Sequence, residues 1–283
     1  MWFYLAITAA LGWAIGSIFL KKSYQFFPPG QIYLFNSVSF LLLWLIYNWI
    51  HHASFVPPEQ KIFIFLPILP ALAFIIFVKA LKQGRVSIIS AIISTSPLIT
   101  TTFAILFLRE KINLTQLGLI ILIIIAVVVI QIDNKQKNPK GNIVNELVWG
   151  FSTAFAFAIA NIANKVVIDR VGPANFSLIN AQWMIAISLI WLLIGKQRRQ
   201  WKLLSTKEGA ILALGSLGYS LGSFFFFITL SNAPVSLVIP ITNLSIPLTL
   251  IFATIFLKEK TSKIQKASIF TIFLATTILK MIS

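Results

Sequence analysis

The chain has no cysteine in 283 residues, which excludes disulfides and thiolate metal sites. Histidine is nearly absent too. The only two, His51 and His52, are adjacent and have no further ligands nearby in sequence. Only seven residues are acidic, and charged residues make up 11% of the chain, against roughly 25% in a soluble domain. No long polar stretch is left over to build a second, soluble domain. No nucleophile–base pair, metal cluster or phosphate-binding loop can be read from the sequence. The expectation is therefore a protein that is not an enzyme and holds no cofactor.

What fills the chain is apolar. Hydrophobic residues account for 58%, and mean hydropathy is +0.91. Runs of about 20 apolar residues recur along the whole length, which suits helices crossing a hydrocarbon core of ~30 Å. A β-barrel would show alternating strands of about 10 residues instead. The reading is an all-α polytopic membrane protein, placed in the cell (inner) membrane. The first run, Trp2 to Leu20, is long enough to span, lacks a basic leader and shows no small-x-small cleavage site, so it reads as a span rather than a signal.

The net charge is +16. The basic residues lie in short loops between apolar runs, not along an amphipathic face. They read as orientation signals and contacts to anionic lipid heads, not as a nucleic-acid surface.

Ten spans are predicted, over approximately 2–20, 31–50, 62–81, 86–108, 113–132, 147–168, 174–195, 210–230, 235–257 and 264–281. The breaks carry turn chemistry, for example FFPPGQ, DNKQKNPKGN and SNAP. A charged phrase occurs twice: FLREKINLTQ from Phe107 and FLKEKTSKIQ from Phe256, which is 149 positions later. At that offset 86–116 lies over 235–265 with 12 identities in 31 positions, among them Val86/Val235, Ser87/Ser236, Glu110/Glu259 and Gln116/Gln265. At an offset of 144, GWAIGSIFLK (12–21) lies over AFAIANIANK (156–165). Gly12-x-x-x-Gly16, Ala156-x-x-x-Ala160 and Gly218-x-x-x-Gly222 are small-residue faces that let helices approach closely. Each half thus holds five spans: 1–133, then a linker over 134–146, then 147–283. An odd number of spans turns the second copy upside down, an architecture used by secondary transporters.

These features resemble the drug/metabolite transporter superfamily, in particular its EamA-like members. The resemblance rests on the ten spans in two halves, on the aromatic-and-small first span ending in lysine (GWAIGSIFLKK), and on the Leu-x-Glu-Lys ending of the fourth span of each half. GSIFLKKSYQ is similar to the first span of the four-span small multidrug resistance proteins. The resemblance implies a cavity lined by spans 1, 3, 4, 6, 8 and 9, with spans 5 and 10 at the periphery. The uniformly apolar LGLIILIIIAVVVI (117–130) suits lipid contact. The multidrug proteins carry a carboxylate inside the first span, where this chain has Trp13 and Ala14. All seven acids lie in loops or at span ends, which argues against proton-driven export of cations.

Polar side chains inside spans are the candidate substrate-binding residues, since lipid does not solvate them. Span 1 offers Trp13, Ser17 and Lys21. Span 6 offers the corresponding Phe157, Asn161 and Lys165, with Asn164 beside them. An aromatic, an amide or hydroxyl and an ammonium in line suit a metabolite bearing a carboxylate or phosphate; the alternative is that both lysines reach to the interface. Asn36 in span 2, Ser94 and Thr95 in span 4, Tyr219 and Ser223 in span 8, and Thr242 and Asn243 in span 9 complete the set. Pro97 and Pro247 are expected to break spans 4 and 9 near mid-depth. The alternative for each hydroxyl is plain interhelical hydrogen bonding.

Loops after odd-numbered spans hold 17 Lys and Arg; the even loops with the C-terminus hold the other 6 of 23. The positive-inside rule then puts both termini outside, whereas many relatives have them inside. The functional expectation is a secondary transporter, acting as a monomer in membrane lipid, that exports small organic metabolites such as amino acids. The alternatives are a sugar or nucleotide-sugar carrier, or a non-transporting, lipid-handling membrane protein.

Overall fold

The computed structural model describes residues 1–283 apart from 53–54, 56–58, 84–85, 134–142, 195–199 and 257–260. Among the described residues every regular element is a helix. In chain order these are α1 (Trp2–Ser23), α2 (Pro29–Ile50), α3 (Ile62–Phe65), α4 (Leu69–Gln83), α5 (Val86–Ile93), α6 (Ser96–Leu108), α7 (Leu114–Asp133), α8 (Ile143–Ile194), α9 (Lys207–Leu230), α10 (Val235–Thr242), α11 (Ser245–Phe256) and α12 (Lys263–Met281). One turn of 3₁₀ helix joins α3 to α4, and another precedes α9.

Nine helical stretches among the described residues are long and apolar enough to cross a bilayer. One of them, α8, has 52 residues. Straight, it would run roughly 78 Å, more than twice a ~30 Å hydrocarbon core. It breaks at Gly172, with φ 80° and ψ 160°. Glycine alone enters that region without strain, and Pro173 follows with no N–H to continue the ladder. The arms 143–171 and 173–194 fall where the sequence predicts spans 6 and 7.

Spans 4 and 9 are each split, at Ser94–Thr95 between α5 and α6 and at Asn243–Leu244 between α10 and α11. The breaks sit at equivalent positions of the repeat (243 − 94 = 149). They precede the prolines expected to cause them. Pro97 occupies the first turn of α6, where a missing N–H costs nothing. The old helix therefore stops before the proline, and a new one starts with it.

The main packing partners join one half of the chain to the other. α1 packs on α9, α2 and α4 on α8, α6 on α10, and α7 on α12. The last pair runs antiparallel. Gln116 at the start of α7 donates from Nε2 to the Ile282 carbonyl at the end of α12 (3.2 Å), and Ser262 before α12 bonds Asp133 at the end of α7. Opposed fifth helices are what an inverted second half requires. Lys280 Nζ donates to the Tyr4 hydroxyl at 2.8 Å, so the start of α1 and the end of α12 meet. α7, apolar all round in sequence, has one buried and one exposed face. Ile120, Ile123, Ile124, Val127 and Ile130 form a buried stripe, while Ile121, Leu122, Ile125 and Ile132 stay exposed.

The first copy of the charged phrase is capping chemistry. Arg109 takes a left-handed conformation (φ 56°), and the Glu110 N–H returns to the Ala104 carbonyl, closing α6. The Glu110 carboxylate then accepts from the backbone N–H groups of Val235 (2.9 Å) and Ser236 (3.1 Å) and from the Ser236 hydroxyl, so it caps the first turn of α10. The matched glutamines close reciprocal capping boxes, Asn113 with Gln116 and Ser262 with Gln265. Glu259 lies outside the described residues.

Candidate functional site

Close helix approach sets up the site. A Cβ on Gly12 would stand 2.6 Å from the backbone nitrogen of Gly222, and one on Gly16 would stand 2.4 Å from that of Tyr219. Backbone contact between α1 and α9 is possible only because both faces are bare. This contact carries the indole of Trp13 across to α9. Its Nε1 donates to Ser223 Oγ at 3.0 Å, and its ring packs on Phe226 with centroids 5.1 Å apart.

Beside this pair lies a cavity of about 380 Å³, lined by α1, α2, α4, both arms of α8, α9 and the two broken helices. Both breaks open onto it, through Ser94 and Ser96 on one side and Thr242 and Asn243 on the other. Ten of the sequence-predicted residues line it: Trp13, Asn36, Ser94, Phe157, Asn161, Asn164, Tyr219, Ser223, Thr242 and Asn243.

Four predicted residues lie outside its lining. Lys165 does not extend the Phe157–Asn161 row. Its ammonium donates to the Leu230 carbonyl at 2.8 Å and pairs with Asp169 at 2.8 Å. Leu230 is the last residue of α9, so this cation sits where the helix dipole favours one. Lys21 is exposed in the last turn of α1. Ser17 is half-buried on α1, away from the lining. Thr95 turns its hydroxyl back to the Ile92 carbonyl at 2.6 Å within its own turn.

Sequence reasoning missed the aromatic walls Tyr33, Phe40, Phe74, Phe77 and Phe226, and also Asn180 and Met184. Spans 2 and 7 therefore join the lining, beyond the six spans the family resemblance implies. Tyr33 stacks on Phe74 at 4.5 Å, and Phe77 meets Phe157 at 5.9 Å. Asn180, an amide inside an apolar run, carried a usable signal. The phenylalanines did not.

Several polar groups are engaged. Asn36 accepts from Ser220 at 3.2 Å, Asn180 donates to the Pro67 carbonyl at 2.7 Å, and Asn161 reaches Thr100 only at 3.5 Å. The carboxamides of Asn164 and Asn243 have no hydrogen-bond partner among the described residues, although Asn164 Oδ1 and Asn243 Nδ2 are buried. None of the described residues lining the cavity is acidic, basic or histidine, and no cluster that could hold a metal occurs among the described residues.

A helical, multi-pass membrane protein whose two halves interlock around a cavity at paired helix breaks has the architecture of the two-repeat transporters. The comparisons give the family. The EamA-like transporter family model matches residues 1–132 and again 145–281, and the chain belongs to that family. It is 29% identical over 133 residues to the uncharacterized protein MJ1333.1 of Methanocaldococcus jannaschii, across 46% of this chain and 96% of that protein. One solved crystal structure superposes with a TM-score of 0.84 at 13% identity, covering 99% of this chain and 96% of its own. At that identity the likeness is one of fold.

Proposed function

We propose that the protein is a secondary transporter that carries small organic metabolites across the cytoplasmic membrane by alternating access. The observation that supports this best is the pair of breaks. Two helices at equivalent positions of the repeat stop beside one cavity, and broken helices in lipid are tolerated where they line such a site. Cross-half packing gives the repeats surfaces on which to rock. The described lining carries no charged side chain, which favours an uncharged substrate over one bearing a carboxylate or phosphate.

The absence of native cysteine allows a clean test. Ser96→Cys, facing the cavity, should react with an impermeant maleimide in both right-side-out and inside-out vesicles. Labelling from one face only, in every condition tried, would sink the alternating-access reading.

A further inference from the structure

The lining of the same cavity constrains what it can hold. A charged substrate entering it would shed water and find no side-chain counter-charge among the described residues. Burying an unpaired ion is far more costly than burying a neutral hydrogen-bonding group that finds partners. Two carboxamides stand ready for such partners. Asn164 is 3% exposed, yet neither of its polar atoms is hydrogen-bonded among the described residues. Asn243, half-buried at the break between α10 and α11, has a buried Nδ2 with no hydrogen-bond partner among the described residues. Buried polar atoms in folded proteins are almost always satisfied, and an acceptor (Asn164 Oδ1) and a donor (Asn243 Nδ2) left unpartnered on a single cavity point to a ligand.

A carboxamide offers a carbonyl acceptor and an N–H donor side by side. Its natural complement is another amide edge, which can exchange both bonds at once. Aromatic side chains form a large part of the wall, with Tyr33 on Phe74 and Phe77 against Phe157, and suit the face or edge of a flat ring. We propose that the site takes uncharged, flat aromatic or heteroaromatic molecules bearing an amide-like edge, recognised by Asn164 and Asn243. This rests on the transporter reading and narrows it, setting free amino acids aside because they carry two charges.

The test uses four probes that share the naphthyl ring system and differ in charge: 2-naphthylacetamide (neutral), 2-naphthylacetate (anion), 2-(2-naphthyl)ethylammonium (cation) and 3-(2-naphthyl)alanine (zwitterion). Thermal stabilisation of the purified full-length protein reports binding by mass action. The amide should act at concentrations about ten-fold lower than each charged probe, the scale of two additional hydrogen bonds. Asn243→Leu should abolish that preference. Asn164→Asp, nearly isosteric, should lose the amide and gain the ethylammonium probe, which a merely structural asparagine would not do. A charged probe that matches the amide on the wild-type protein overturns the proposal, as does a wild-type protein that responds to none of the four. Uptake of a charged probe into proteoliposomes would also overturn it while leaving the transporter reading intact. The cysteine labelling decides that reading without any ligand.

Discussion

Glu110 holds the N-terminus of a helix in the other half of the protein, through two backbone N–H groups and one hydroxyl. Glu110→Ala removes a cap from α10, and the expected loss is about 1–2 kcal/mol. Glu110→Gln keeps one acceptor oxygen and should lose less. Thermal unfolding of the purified variants reads both, and two unchanged midpoints would show that the cap is dispensable. Lys165 gives a second prediction at this scale. Lys165→Met leaves the Leu230 carbonyl without its donor and should destabilise by about 1 kcal/mol. Affinity for a cavity ligand should be unchanged. Weaker binding in that variant would return Lys165 to the site.

At the scale of helices, the spans were legible because apolar length alone sets them, and the repeat was legible because Glu110 and Gln116 recur at one offset. Hydroxyl destinations were not legible. Ser94, Thr100 and Thr249 each bond the carbonyl four residues back along the chain, while Ser220 crosses to Asn36. These serines and threonines look alike in sequence, and only tertiary packing separates them. The aromatic walls were hidden for a related reason: in a chain that is 58% hydrophobic, a cavity phenylalanine reads like a core one. The glycines, by contrast, gave a local signal that the structure turns into a number. Gly16→Ala would push a methyl to 2.4 Å from the Tyr219 nitrogen, so α1 and α9 must separate. That variant should unfold at a clearly lower temperature and lose cavity binding. Gly118→Ala, on an exposed face of α7 with nothing within 4 Å, should be neutral or stabilised by up to about 1 kcal/mol through helix propensity. Equal behaviour of the two variants would refute the close-contact account.

For the whole molecule, no charged side chain belongs to the cavity's described lining. Glu110 is committed to a helix end, Asp169 to Lys165, and Asp133 to Ser262. A carrier that couples protons within the membrane usually exposes an ionisable group to its substrate path. Substrate counterflow in proteoliposomes should therefore persist when a protonophore collapses the pH gradient. Complete loss of counterflow under that treatment, with vesicles still sealed, would show that transport is coupled to protons.

The bare face of α1 has a consequence in time. Gly218 lies 206 positions after Gly12 (218 − 12). At ~5–20 residues per second, roughly 10–40 s of synthesis separate the two glycines. Throughout that interval α1 is in the membrane with its partner unmade. The first half leaves the ribosome as an unfinished surface, and the molecule closes only when α9 arrives. Truncation after the first repeat should thus yield an inserted but unclosed fragment, a substrate for membrane quality control rather than a small working protein.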